Sequence, residues 1–211
     1  MRISNLTNGK SMIYSSNVYL ILGDWNAMGD LSTLIDVGND PTVIERIKMT
    51  PTGVGKRTVD QVIITHAHFD HTEMLEEVRA QFDPIVYAFS PYLTPDVLLK
   101  DGMHLRCGDR EFEVIYTPGH SEDSVCLYCQ TDGVLFAGDT PVVIRSSDGS
   151  YEDRFVWALE RIAQKDVRTI FFGHGDPLIE NANSVLAESL RNVQAAQRVR
   201  GRQSMPTSLN F

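Results

Sequence analysis

Five of the six histidines in this 211-residue sequence stand where imidazole can do chemistry. Three fall in one run, Thr65-His66-Ala67-His68-Phe69-Asp70-His71, directly after the apolar segment Val62-Ile63-Ile64. His120 follows Tyr116-Thr117 through the turn Pro118-Gly119, and His174 follows Ile170-Phe171-Phe172 through Gly173. Asp139 follows Val134-Leu135-Phe136-Ala137 through Gly138, and Asp36 follows Leu34-Ile35 ahead of Val37-Gly38. A single histidine after a strand is ordinarily a polar loop residue. Five such placements, three of them within seven residues, argue for a metal site instead. Imidazole and carboxylate donors without thiolate partners suit zinc, iron or manganese rather than a structural cysteine-type zinc site.

Residues this far apart in sequence meet only if buried strands deliver them to one rim. Positions two apart in extended chain point to the same side, so His66, His68 and Asp70 are expected to face one cleft. His71 would then enter the same cleft from the start of a helix. Strands are expected over Ile13-Tyr14, 17–22, 31–35, 59–65, 85–88, 111–117, 124–129, 134–137 and 169–172, and helices over 41–48, 72–81, 151–164 and 184–200. Proline at position 41 suits a first helical turn, and Asp132-Gly133 suits a hairpin turn. Strands clustered between helices point to sheets covered by helices rather than a strictly alternating pattern. No linker, repeat or low-complexity segment interrupts residues 1–211, which read as one domain with a frayed tail over 201–211.

At these residues the sequence resembles the metallo-beta-lactamase superfamily. THAHFDH, TPGHS, FAGDT and FGHG occur in the order found there, and the likeness spans nearly all of residues 15–180, closest to the glyoxalase II-like and lactonase-like branches. The resemblance implies a mixed α/β fold, a four-layer αββα sandwich with the metals at one edge of two packed sheets. It implies two divalent ions, zinc or alternatively iron or manganese. One would be held by His66, His68 and His120, the other by Asp70, His71 and His174, with Asp139 bridging. Asp36 would orient a ligand loop; a plain turn aspartate is the alternative reading. The implied activity is hydrolysis of a small ester, thioester or lactone by a metal-bridged hydroxide, with Asp70 both ligating and orienting it. Neither a serine nor a cysteine nucleophile is needed.

The sequence departs from several branches of that family. β-Lactam-opening enzymes lack this combination of His120, Asp139 and His174 with both Asp70 and His71. Glyoxalase II-type hydrolases carry a further helical domain for glutathione, and RNA-processing relatives carry large inserts. Neither is visible here. Thr72-Glu73-Met74 replaces the usual small residues after the Asp-His pair. Two other functional classes stay open. A mononuclear iron sulfur dioxygenase would use only His66, His120 and Asp139, and a noncatalytic metal-binding module would use the same ligands without turnover.

Composition narrows the partners. A formal charge of -9 disfavours a phosphate backbone, so a small-molecule substrate is expected and nucleic acid is not. No apolar run is long enough for a membrane span or a secretory signal, and three cysteines do not suggest a disulfide framework, so a cytoplasmic location is expected. The oligomeric state stays open, with a homodimer one option. Cys126 and Cys129 have metal-motif spacing, but an odd separation within a strand points them to opposite faces. Gly53-Val54-Gly55-Lys56 lacks the full phosphate-loop pattern and reads as a loop. Arg198, Arg200 and Arg202 read as charge complements at a helix end. Thr140 reads as a support for the site or a strand-exit residue, and His104 as a surface or supporting histidine.

Overall fold

A computed structural model describes residues 1–7, 14–25, 27–53 and 55–203. Two sheets pack face to face. The first contains β1 (Arg2–Asn5), β2 (Tyr19–Leu22), β3 (Thr33–Ile35), β4 (Gln61–Ile63), β5 (Ile85–Ala88) and β6 (Val97–Leu98), in that spatial order. The second runs β11-β10-β9-β8-β7, from β7 (His104–Cys107), β8 (Arg110–Tyr116), β9 (Val125–Cys129), β10 (Val134–Gly138) and β11 (Thr169–Phe172). Strands β3 to β6 pair in parallel, as do β10 and β11, while the remaining neighbours are antiparallel.

Side-chain alternation sorts the apolar residues into three cores, which define four layers. Tyr19, Ile21, Ile35 and Ile63 of the first sheet meet Phe112, Val114, Leu127 and Phe136 of the second. Their neighbours Leu20, Leu34 and Val62 point outward, under α1 (Thr42–Met49) and α3 (Leu75–Phe82). Ile115, Cys126 and Leu135 point the other way, under α4 (Asp153–Ala163) and α5 (Ala182–Gln203). Central strands buried on both faces need the continuous apolar runs seen in the sequence. The helices carry one apolar stripe each: Val43, Ile44 and Ile47 on α1, and Phe155, Val156, Leu159 and Ile162 on α4.

Most expected elements form, with ends shifted by a few residues. Strands β5 and β11 have the expected limits; the strand expected over 59–65 contracts to Gln61–Ile63, freeing Thr65 to approach the other sheet. The helix expected over 72–81 forms as α3, starting three residues later, behind a separate short helix α2 (Phe69–Thr72). Tyr14 lies outside any strand, and three edge strands, β1, β6 and β7, were not expected. Ile13, Val54 and residues 204–211 lie outside the described residues, as do the side chains of Arg200 and Arg202. Among the described residues no helix is long and apolar enough to cross a membrane.

Candidate metal centre

The centre begins with backbone. Val125 N donates to Thr65 O at 2.9 Å, stitching the end of β4 to the start of β9. Gly173 N donates to Gly138 O at 2.8 Å, which places the exits of β10 and β11 side by side. Gly138 takes φ +52, and a Cβ there would lie 2.7 Å from Thr65 Oγ1. A Cβ on Gly173 would lie 2.1 Å from Asp139 Oδ1 and 2.7 Å from His71 Cε1. Both positions therefore require glycine so that the strand exits can close around the histidines.

Seven side chains converge on this rim. His66, His68 and His120 offer ligand atoms within 4.8 Å of one another; so do Asp70, His71 and His174, and a third group joins His66, His71 and Asp139. His120 Nε2 lies 2.9 Å from His68 Nδ1, and His174 Nε2 lies 2.9 Å from Asp70 Oδ2. Asp139 stands between the two triads. Its Oδ1 is 3.4 Å from His71 Nε2, and its Oδ2 is 3.6 Å from His120 Nε2 and 3.5 Å from His174 Nε2.

One expected route to this arrangement is wrong. Asp70 does not share an extended run with His66 and His68. The chain turns into α2 at Phe69, with His68 as its extended N-terminal flank, so Asp70 enters from a helical turn together with His71. Val37 N and Gly38 N then anchor that turn through His71 O.

Asp36 is wholly absorbed in holding the buried imidazoles. It takes φ +56, and Thr65 N donates to its Oδ1 at 2.8 Å. Its Oδ2 lies 2.8 Å from both Thr65 Oγ1 and His71 Nδ1. A carboxylate only accepts, so both partners must donate to it. The Thr65 hydroxyl proton is thereby spent on Asp36, and Thr65 Oγ1 is left to accept from His66 Nδ1, 3.1 Å away. One carboxylate thus holds both buried histidines through protonated Nδ1 atoms and turns their Nε2 atoms to the centre, where a neutral ring carries its lone pair. Those two atoms, His66 Nε2 and His71 Nε2, are buried without any hydrogen-bond partner. Buried polar atoms are ordinarily satisfied, so two orphaned imidazole nitrogens aimed into one acidic cluster fit a cation.

The charges of the ion-free cluster follow from its neighbours. Burial would lower the His71 pKa, but Asp36 and Asp139 outweigh it and hold it up to about 10. Burial and the charge on His71 push His66 down to about 4. Burial would raise the Asp139 carboxyl, yet the His174 and His71 imidazoles beside it keep it well below its usual range. The same bond to Asp139 raises His174, while burial lowers His120.

Sequence reasoning missed two contributors. In the sequence Thr65 is merely the end of an apolar strand. Tyr14 stacks on His174 with ring centroids 4.7 Å apart and its hydroxyl 3.3 Å from His174 Nε2. No motif surrounds Tyr14, and only the fold reveals it. His104 is exposed on β7 and pairs with Glu111 at 2.9 Å across the strands, away from the centre. Thr140 shares a 2.8 Å hydrogen bond with Thr117, which ties the loops bearing His120 and Asp139.

The sequence profile of the metallo-beta-lactamase superfamily matches residues 13–95 and 73–174, more than half the chain. The chain belongs to that superfamily. Hydroxyacylglutathione hydrolase of Francisella tularensis subsp. novicida is 36% identical over 88 residues, which cover 40% of this chain and 35% of that protein. An atrochrysone carboxyl ACP thioesterase of Aspergillus fumigatus is 23% identical over 203 residues, covering 94% of this chain and 62% of that one. The chain thus aligns with less than two thirds of either relative. Among solved structures, ETHE1 from Myxococcus xanthus superposes with a TM-score of 0.66 at 21% identity, covering 98% of this chain and 92% of its own. Its likeness carries the superfamily fold, two sheets within a mixed α/β sandwich.

Proposed function

We propose that this chain is a dinuclear metal-dependent hydrolase acting on a small ester, thioester or lactone. The observation that carries the proposal is the pair of ligand triads flanking Asp139, with two orphaned Nε2 atoms facing inward. His66, His68 and His120 would hold one ion, Asp70, His71 and His174 the other, and Asp139 would touch both. Zinc fits this donor set, as do iron and manganese. When bound, such a pair supplies an acidified water near neutral pH and a Lewis acid for the scissile carbonyl oxygen.

The chain's own groups then do the rest. Asp70 Oδ2, held 2.9 Å from His174 Nε2, is placed to accept and orient a proton of the attacking water. Asp36 and Thr65 keep His66 and His71 from rotating or changing tautomer. The two curated relatives carry hydrolytic names, which supports hydrolysis. The net charge of -9 supports a small molecule over nucleic acid.

Metal-characterised protein should turn over a panel of esters, thioesters and lactones under anaerobic conditions. His174→Ala should lower that turnover by at least roughly a hundredfold, the scale of losing charge stabilisation at the carbonyl. Oxygen consumption with a persulfide, one iron per chain and a fully active His174→Ala variant would instead identify the mononuclear dioxygenase.

A further inference from the structure

The cleft over the centre does not end at the ligands. A cavity of about 290 Å³ is lined by His120, Asp139, Thr140 and His174, and shares Val143, Phe172 and His174 with a second groove of about 660 Å³. The second groove runs between the segment after β10 and the face of α5. Its volume lies within the range of about 300–1,000 Å³ that small-molecule sites occupy. We propose that this groove is the subsite for an uncharged, apolar acyl arm of the substrate, whose scissile carbonyl sits at the His174 end. The proposal rests on the hydrolase reading and adds the chemistry of the arm.

The walls carry the argument. Val143, Ile144, Phe172, Pro177, Leu178 and Val185 supply apolar surface along the groove. Ser189 also lines it, but its hydroxyl is occupied: it donates to Val185 O at 2.8 Å and accepts from Ile144 N at 2.8 Å. Asn192 Nδ2 donates to Ile144 O at 2.8 Å. These bonds clamp the 143–145 segment to α5, so the wall is preformed rather than assembled by a ligand. The charged lining residues, Arg145, Asp176 and Glu188, are all exposed at the rim and carry one positive and two negative charges. Such a rim does not favour an anionic tail, and among the described residues the interior has no free polar side chain to satisfy one.

Thioesters of a single thiol, N-acetylcysteamine, test this with acetyl, butanoyl, hexanoyl, octanoyl and succinyl arms. Each buried methylene is worth about fourfold, so kcat/KM should rise by at least about a hundredfold from acetyl to octanoyl. Succinyl should stay near or below butanoyl. Val185→Phe and Leu178→Phe, which fill the groove, should each cut the octanoyl-to-acetyl ratio at least about tenfold. Binding of octanoate against acetate, followed by calorimetry, gives a readout independent of turnover and should favour octanoate by a similar factor. Equal kcat/KM for all arms, or succinyl outpacing octanoyl, would overturn the groove assignment and leave the hydrolase reading standing. No turnover of any arm, nor of the matching esters and lactones, with octanoate still preferred in calorimetry and the preference lost in the two filled variants, would overturn the hydrolase reading and support the groove.

Discussion

His71 Nδ1 donates to Asp36 Oδ2 at 2.8 Å, across 35 positions of sequence and with both side chains almost fully buried. Through Thr65 the same carboxylate also governs His66. The two innermost imidazoles therefore depend on one residue that itself touches no reacting group.

Replacing Asp36 should accordingly damage the centre from outside it. Asp36→Asn keeps a residue type tolerant of φ +56, yet its amide would present a donor where His71 needs an acceptor. The His71 proton would then move to Nε2, the atom facing the cluster. We expect Asp36→Asn to weaken metal affinity by about 10–100-fold, measured by competition with a chromophoric chelator. Wild-type affinity in this variant would refute the tautomer argument.

Metal uptake should release protons. His71, held up to about 10, is charged near pH 7 in the ion-free protein and must lose its proton to ligate. Titrations of zinc into ion-free protein, in buffers of different ionisation enthalpy, should show at least one proton released per chain near pH 7. Buffer-independent heats would contradict this.

Ion-free stability should peak near pH 6.5, the ordinary histidine value. The His71 pKa is raised, so its contribution is full below the unfolded value and fades as pH rises towards about 10. The His66 pKa is depressed to about 4, so its contribution is full above the unfolded value and is lost as pH falls towards 4. Thermal melts in chelator should decline on both sides, and the alkaline decline should vanish once the metals are restored. A melting temperature that climbs steadily from pH 6.5 to 9 without metal would contradict the assignment.

Much of this architecture was legible because each ligand follows an apolar run with a glycine or tight turn. Val62-Ile63-Ile64 and Val134 to Ala137 lie in central strands, Ile170-Phe171-Phe172 pairs directly beside the latter, and each of these runs ends at the rim. Three of the four edge strands were illegible for the converse reason. Arg2–Asn5 and His104–Cys107 bury one face at most, and Val97–Leu98 is two residues long, so none shows a buried run. The turn that puts Asp70 in a helix, and the hydrogen bonds joining Asp36, Thr65, His66 and His71, depend on which side chains face each other in space. Spacing does not encode that, and Tyr14 over His174 is the extreme case.

The cysteines give a negative control. Cys126 packs in the core beneath α4 and α5, while Cys129 packs between the sheets, as their odd separation predicts. Both thiols are pushed up by burial, which makes them poor ligands. Cys126→Ser combined with Cys129→Ser should cost stability in a denaturant melt and leave metal content unchanged. Loss of metal would overturn the strand-face argument.

The central claim is that Asp139 joins two ion sites, and elemental analysis of purified protein tests it most directly. Wild-type chain should carry about two equivalents of zinc, iron or manganese, because seven ligands exceed what one tetrahedral ion uses. Asp139→Ala should lose more than one equivalent, since that carboxylate offsets the repulsion between both ions. A wild-type protein that takes up no metal on reconstitution, or an Asp139→Ala variant that keeps both ions, would contradict the account.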